Sequence, residues 1–256
     1  MRQKLGQHFL WDSQIIRQIA SHADIAGKNV LEIGAGAGAL TEALAHRKPK
    51  KLVALETDEA LLPKLEKRTK GLGVTILHAN ARNLDFKGYH WIVGNIPFYL
   101  SSELLFKTIH TKSHALFLVQ KEFGERLVAE PGSNEWGRLS VNAQNRADVK
   151  IVMDVSRFSF SPPPEVDAVV VLLTAKRPKA IDEKLVEALF SHKNQKVKKA
   201  FTNSAKKLGY EKKEAKAFAL HLPFAEMRVK DLTPEQWVEL SAHAGAQKMN
   251  PPEGGG

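Results

Sequence analysis

Short apolar runs alternate with longer amphipathic stretches through the first 175 residues of the chain. The apolar runs predict five strands, and their spacing leaves room for a helix between most of them. This alternation is typical of an α/β fold with a parallel sheet and crossover helices. The predicted strands are Asn29–Ile33, Leu52–Leu55, Val74–Leu77, Trp91–Val93 and Ala115–Val119.

Two features refine this outline at its ends. Asp12 is a suitable cap for a helix whose apolar residues Ile15, Ile16, Ile19 and Ala20 share one face. Two later runs, Val149–Val155 and Ala168–Leu173, have no helix-sized spacer between them. We therefore expect them to pair antiparallel at one edge of the sheet.

The pattern changes near Arg177-Pro178 to amphipathic helices rich in lysine. We accordingly predict a first domain over residues 1–177, a small basic helical domain over 178–246, and a disordered tail over 247–256. Thr233 begins a good helix start, with Pro234 in the first turn and Gln236 three residues on.

Composition narrows the class of protein. The chain has no cysteine, which excludes disulfides and thiolate metal sites, and its ten histidines show no metal-ligand spacing, so we expect no metal. The longest apolar run, Ala168–Leu173, is far shorter than the roughly 20 residues that a membrane span needs. The start, 1–6, lacks the apolar core of a signal peptide. A cytoplasmic protein without a membrane partner is expected.

The positive charge is concentrated in one segment. The net charge is +10, and residues 176–216 hold 13 Lys/Arg against 5 Asp/Glu. Such clustering favours a surface that binds a polyanion, although a solvated helix face has the same composition.

The segment Leu31–Gly38 predicts a strand that enters a glycine-rich turn. Gly34, Gly36 and Ala39 satisfy a dinucleotide-binding pattern, and Glu56 lies where a ribose-binding acid belongs. This much serves a nicotinamide oxidoreductase and a methyltransferase equally well.

Asn95-Ile96-Pro97-Phe98 favours the methyltransferase, because it follows the fourth strand at its carboxyl end, where open α/β sheets bind ligands. An exocyclic adenine amine is a poor nucleophile because its lone pair is delocalised into the ring. The Asn95 side-chain oxygen and the Ile96 carbonyl are acceptors suited to hold its hydrogens, and Pro97 keeps Ile96 extended. Phe98 supplies a flat face for a base taken out of its stack.

With these motifs, the chain resembles the KsgA-type small-subunit rRNA adenine dimethyltransferases, close to their archaeal branch, with the Erm large-subunit enzymes as cousins. The resemblance implies a Rossmann-like S-adenosylmethionine-dependent methyltransferase domain with a small helical C-terminal domain. It also implies the substrate: two adjacent adenosines in a 3′-terminal hairpin of small-subunit rRNA, each methylated twice, in a precursor of the small subunit. We expect a monomer with a role in ribosome biogenesis.

The resemblance carries over residue by residue. It implies donor contacts from a set of seven residues: His8, Leu10, Gly34, Gly36, Glu56, Asn80 and Asn95. In the loop Phe160–Val166, it implies that Phe160 stacks on the flipped adenine opposite Phe98. It places RNA contacts in a basic stretch that includes Lys193, Lys196, Lys198 and Lys199.

Three positions depart from the family pattern: Asn80 stands where Asp is usual, His8 where Asn is common, and Phe98 where Tyr is more frequent. Three alternative functions stay open. The protein could be an Erm-like enzyme or a ribosome-assembly factor that has lost catalysis. The glycine motif also allows a nicotinamide oxidoreductase, which would leave Asn95–Phe98 unexplained.

Overall fold

The computed structural model describes residues 8–249 and, within that range, every side chain except those of Phe98 and residues 246–249. Its strands are β1 Phe9–Leu10, β2 Asn29–Ile33, β3 Lys51–Glu56, β4 Val74–His78, β5 Trp91–Asn95, β6 His114–Gln120, β7 Ala147–Val155, β8 Phe160–Ser161 and β9 Ala168–Ala175. Its α-helices are α1 Ser13–Ser21, α2 Ala39–Ala45, α3 Leu62–Thr69, α4 Ser101–Ile109, α5 Lys121–Val128, α6 Arg138–Arg146, α7 Glu183–Phe190, α8 Val197–Asn203, α9 Ala205–Leu208, α10 Lys212–Ala219 and α11 Pro234–Met249.

Seven strands form one sheet in the order β4-β3-β2-β5-β6-β9-β7. The first five are mutually parallel, while β9 runs antiparallel to both β6 and β7. All five predicted parallel strands are confirmed, and so is the antiparallel pair at one edge. The strand order reverses between β2 and β5, so the carboxyl ends of these two strands are the place where such sheets bind ligands.

Helix α1 shows how the core beside this edge is built. The Asp12 carboxylate caps the helix by accepting hydrogen bonds from the Gln14 and Ile15 amides. Ile16 and Ile19 are buried, as the helical spacing predicts. The cap fixes where the helix starts, and its apolar face then holds the N-terminal segment beside the sheet.

The chain divides into two compact units. The first contains the residues up to Glu125 together with Ala147–Lys176, and the second contains Arg126–Arg146 together with the residues from Arg177 onwards. The boundary between these units at Lys176/Arg177 lies one residue before the expected domain boundary. Residues 126–146, however, were expected in the first domain. Trp136 and Val141 pack in one core cluster with Leu189, Phe201 and other residues of the later helices, so this segment belongs to the second unit.

The C-terminal end also differs from the expectation. Thr233 and Gln236 form the predicted reciprocal cap of α11, with each side chain accepting from the other residue's amide. The helix runs to Met249, so residues 247–249 are helical and do not belong to a disordered tail. Residues 250–256 lie outside the described range. No helix within residues 8–249 has the length and apolar character to cross a membrane.

Candidate functional site

The turn that follows β2 is held open by glycines and tied to β3 by a carboxylate. Gly34 and Gly36 have φ of 72° and 59°, a region that favours glycine. Glu56, buried at the end of β3, accepts a 2.7 Å hydrogen bond from the Gly36 amide. Its other oxygen accepts from the Thr57 and Asp58 amides, each at 2.8 Å. The predicted ribose-binding acid is therefore fixed against the glycine turn by three backbone donors.

The end of β5 lies directly beside this turn. A Cβ on Gly94 would collide with the Ile33 carbonyl, so β5 approaches β2 as closely as glycine allows. A Cβ on Gly34 would stand 3.4 Å from the Asn95 carbonyl oxygen. The turn and the Asn95 segment, separated by some 60 residues of sequence, therefore meet at one point of the sheet.

The Asn95 side chain is oriented by the N-terminal segment. Its Nδ2 donates a 3.0 Å hydrogen bond to the His8 carbonyl. This bond uses one of the two amide hydrogens and fixes the orientation of the side chain, which leaves Oδ1 as the acceptor that Asn95 offers to a ligand. Ile96 is buried, and its amide donates to the Leu118 carbonyl at 3.2 Å, which anchors the backbone that precedes Pro97.

The N-terminal segment is in turn held by the loop after β7. Strands β1 and β8 pair antiparallel, with Phe9 opposite Ser161 and Leu10 opposite Phe160. The His8 Nδ1–H donates to the Pro162 carbonyl at 2.8 Å, beside the cis Ser161–Pro162 peptide. The three motif segments around His8, Asn95 and Pro162 are thus linked by hydrogen bonds.

A cavity of about 480 Å³ opens between the N-terminal segment, α1, the glycine turn and α2. This volume is within the usual range for a small-molecule site. Of the residues predicted to bind the donor, it is lined by Leu10, Gly34, Gly36 and Asn95, whereas His8, Glu56 and Asn80 are not in its lining.

Glu32, which belongs to the glycine motif but was not predicted as a contact residue, lies in the wall of this cavity. It is buried, and its Oε2 has no hydrogen-bond partner among the described residues. Burial, with a further contribution from the nearby Glu56 carboxylate, raises the pKa of Glu32 to about 8. A buried carboxyl with one oxygen unpaired, in the wall of a cavity, is suited to receive a cationic or hydrogen-bond-donating group of a ligand.

Asn80 is exposed at the carboxyl end of the sheet, in the turn after β4. Its Oδ1 accepts the Arg82 amide at 3.0 Å, a local turn that an aspartate would form equally well. The family departure at this position therefore leaves the backbone of the turn unchanged.

The predicted stacking role of Phe160 gains no support from the position of its side chain. The side chain is 2% exposed and packs in the core cluster with Ile19, Val155 and Ala168. Because residues alternate along a strand, β8 turns Phe160 inward while Ser161 is exposed. The side chain of Phe98, the other predicted stacking residue, lies outside the described part of the structure.

The predicted RNA-binding lysines lie in the second unit, where most of them have protein partners. Lys196 forms a 2.8 Å ion pair with Glu226, and Lys198 pairs with the same carboxylate. These two lysines lower the pKa of Glu226 to about 2. Lys193 donates to the Asn134 carbonyl at 3.0 Å. Lys199 is exposed and forms no ion pair within residues 8–249.

Comparison with known proteins identifies the family. A family model described as ribosomal RNA adenine dimethylase matches residues 1–244. Proteins named probable ribosomal RNA small subunit methyltransferase A from Thermococcus gammatolerans and Pyrococcus furiosus are each 36% identical to this chain, and both alignments cover 93% of it, with 87% and 90% of the relative. A dimethyladenosine transferase structure from Plasmodium falciparum superposes with a TM-score of 0.84 at 27% identity, covering 94% of this chain and 98% of the other.

The structure of the 23S rRNA methyltransferase ErmE has a TM-score of 0.70 at 23% identity, covering 93% of this chain and 99% of the other; this likeness shows the shared fold alone. The family match confirms the predicted fold class, the enzyme class and the methyl donor, and it removes the nicotinamide alternative. The chain therefore belongs to the ribosomal RNA adenine dimethylases, a family of enzymes that use S-adenosylmethionine.

Proposed function

We propose that the protein dimethylates the exocyclic N6 of two adjacent adenosines in the 3′-terminal hairpin of small-subunit rRNA. The observation that carries the chemistry is the fixed Asn95 amide, which donates one hydrogen to the His8 carbonyl and keeps its acceptor oxygen for a ligand. The relatives' names, which refer to the small subunit, support the choice of substrate. We further propose that it acts as a cytoplasmic monomer on a precursor of the subunit, with a role in ribosome biogenesis.

The residues around the glycine turn suit the methyl donor. S-adenosylmethionine supplies a methyl group activated on a sulfonium centre, together with a ribose diol and an ammonium group. Glu56, held in place by three backbone amides, has carboxylate lone pairs suited to a diol. Glu32, with its unpartnered oxygen, is suited to the ammonium. Gly34 and Gly36 keep the wall free of side chains, and the Asn80 side chain offers the donor's adenine an amide.

Asn95 and Ile96 prepare the nitrogen of the target. The Asn95 Oδ1 and the Ile96 carbonyl would accept the two amine hydrogens and favour a tetrahedral nitrogen. Its freed lone pair would then bond to the donor's methyl carbon while the carbon–sulfur bond breaks and the nitrogen gives up a proton. The hydrogen bond to His8 fixes the amide orientation before substrate binds. Positioning of this kind accounts for most of the rate, and no covalent enzyme intermediate is required.

The flat surfaces around the base need a revised assignment. Phe98 remains our proposal for one face of the adenine. Phe160 instead stabilises β8 from the core, where it holds the loop whose Pro162 carbonyl anchors His8. RNA affinity comes from the basic second unit, for which Lys193, Lys196, Lys198 and Lys199 remain proposed contacts.

The test uses undermethylated small and large ribosomal subunits, assayed separately, with mass-spectrometric mapping of methylated adenosines. Wild type should modify two adjacent adenosines of the small subunit. Asn95→Ala should slow turnover by raising its activation free energy by roughly 2.7–4 kcal/mol. This is the usual loss for one pre-positioned transition-state hydrogen bond. Asn134→Ala, at an exposed asparagine of the second unit, is the matched control and should retain turnover.

Other outcomes of this assay would favour an alternative function or contradict the mechanism. Modification of the large subunit alone would support the Erm-like alternative. Donor binding without methylation of either subunit would support the assembly factor. A normal methylation map from Asn95→Ala would contradict the mechanism.

A further inference from the structure

Exposed large apolar side chains are concentrated around the site. Among the side chains that the structure describes, they are Phe9, Trp11, Tyr99, Phe158, Val166 and Leu220. All but Leu220 belong to the N-terminal segment, the segment after Asn95 or the loop before β9. Isolated exposed apolar residues are ordinary, but two of these aromatic residues, Phe9 and Trp11, line the cavity, and exposed rings at a cavity mark a binding surface.

Trp11 and Phe158 are the members of this group that are held together. They are 63% and 65% exposed, respectively. The Trp11 indole donates to the Phe158 carbonyl at 3.3 Å, and the Trp11 amide donates to the Ser159 carbonyl at 3.1 Å. The Trp11 side chain is thereby tied to the backbone of a residue 147 positions away, as an extension of the β1–β8 pair.

Positive charge lies beside Trp11 and Phe158. The Arg157 guanidinium lies 4.9 Å from the centre of the Phe158 ring, in a cation–π contact, and also donates to the Glu165 carbonyl. Arg17 is exposed and lines the same cavity as Trp11. An aromatic surface with guanidinium groups suits a nucleobase and its phosphate better than an aliphatic protein side chain.

Trp11 also lies close to the proposed reaction site, because it lines the same cavity as Gly34 and Asn95. A base stacked on Trp11 would therefore belong to a nucleotide close to the one whose amine reaches Asn95. We propose that Trp11 and Phe158 form a stacking platform for an unpaired nucleotide that flanks the target adenosine in the RNA. This inference rests on the proposed function and adds a contact outside the adenine and donor sites.

Intrinsic fluorescence provides a direct test, since Trp11 is the exposed tryptophan while Trp91, Trp136 and Trp237 are at most 7% exposed. An RNA hairpin with two adjacent adenosines in its loop should quench the emission of wild type. Hairpins with single abasic sites around the adenosines should locate the stacked nucleotide, because one of them should lose most of the quenching. Equal quenching by every abasic hairpin would overturn the proposal.

Steady-state kinetics on undermethylated small subunits gives the second readout. Trp11→Ala and Phe158→Ala should each raise the KM for subunits about 5- to 150-fold, the range for losing one base stack, with a smaller change in kcat. Trp11→Phe keeps a flat ring and should remain near wild type. Leu220→Ala, which removes an equally exposed apolar side chain from the second unit, should have no effect.

The outcomes separate the two hypotheses. Active wild type with an unchanged KM in both alanine variants would overturn the platform and leave the proposed function intact. Inactive wild type that still shows base-dependent quenching would remove the function but keep the platform. An increased KM for subunits without base-dependent quenching by RNA would point to a ribosomal protein as the partner and would also overturn the proposal.

Discussion

The glycine turn of the first unit and the lysine segment of the second unit use polar residues in opposite ways. At the turn, Glu56 is buried and held by three backbone amides. In the segment, Lys196 and Lys198 are more exposed, and their charges are directed at one carboxylate, that of Glu226. A ligand at the turn meets groups that are already oriented, whereas RNA must compete with Glu226 for these lysines. Backbone geometry therefore determines the first region and side-chain charge pairing the second.

The largest expected effect is a loss of donor affinity on removal of the Glu56 carboxylate. Glu56→Ala should weaken S-adenosylmethionine binding by at least about 100-fold, because two charge-assisted hydrogen bonds to the ribose are each worth about 1.5–3 kcal/mol. Calorimetric titration measures the affinity. Glu59→Ala, an exposed carboxylate three residues on, is the control and should bind normally. Unchanged affinity in a folded Glu56→Ala protein would remove Glu56 from the donor site.

The second prediction separates two neighbouring phenylalanines. Phe160→Ala should lower the free energy of unfolding by about 3–5 kcal/mol, because the ring is buried in the core. Phe158→Ala, which removes an exposed ring, should change it by less than about 0.5 kcal/mol. Denaturant titrations of both variants give the comparison. A small stability loss for Phe160→Ala, together with a large rise in the KM for RNA, would restore its stacking role.

These two phenylalanines show what the sequence could predict and what it could not. Long apolar runs such as Ala115–Val119 are sufficient to identify buried strands, and the motifs correctly brought Gly34 and Asn95 to one point of the sheet. Strand β8 is only two residues long, which is too short for alternation to show that Phe160 faces inward.

Long-range partners were equally hidden. The amphipathic pattern of Arg138–Arg146 predicts an apolar face but not which core receives it, so the predicted unit for this segment is wrong. Glu226 pairs with lysines 28 and 30 residues away, and nothing in a lysine-rich pattern indicates that partner. The spacing of residues in the sequence predicts local motifs, whereas long-range contacts between residues depend on how the chain packs.

The third prediction concerns pH and the buried Glu32. Its pKa is about 8 in the folded protein against 4.5 for an ordinary glutamate, so between these pH values the folded state binds one more proton than the unfolded state. Stability of the donor-free protein should therefore fall as pH rises from about 5 to 8, by up to about 1.4 kcal/mol per pH unit from this group.

Glu32→Gln should remove that contribution, which is obtained from the difference between the wild-type and variant free energies of unfolding at each pH. Glu59→Gln, on the exposed surface, should leave the wild-type slope in place. Parallel pH profiles for wild type and Glu32→Gln would show that Glu32 is ionised throughout this range.

The smallest expected effect probes the lysine segment. Glu226→Gln should strengthen RNA binding a few-fold, because Lys196 and Lys198 would no longer be paired with a carboxylate that stays ionised above a pH of about 2. The salt dependence should steepen by about 0.7–0.9 in log–log slope for each additional phosphate that these lysines neutralise. Binding of an rRNA fragment, measured from 50 to 300 mM salt (about the range in which counterion release dominates), gives both quantities.

Single lysine variants sharpen this test, because Lys196 forms an ion pair with Glu226 whereas Lys199 forms none among the described residues. Lys199→Gln should weaken RNA binding more than Lys196→Gln, since Lys196 already shares Glu226 whereas Lys199 has no ion-pair partner among the described residues. In the Glu226→Gln background the two lysine variants should become equivalent. Glu239→Gln changes the net charge equally without touching either lysine, so it serves as the control and should alter affinity less than Glu226→Gln. If Glu226→Gln and Glu239→Gln give the same affinity and the same salt slope, the lysines near Glu226 are a solvated face and RNA is held elsewhere.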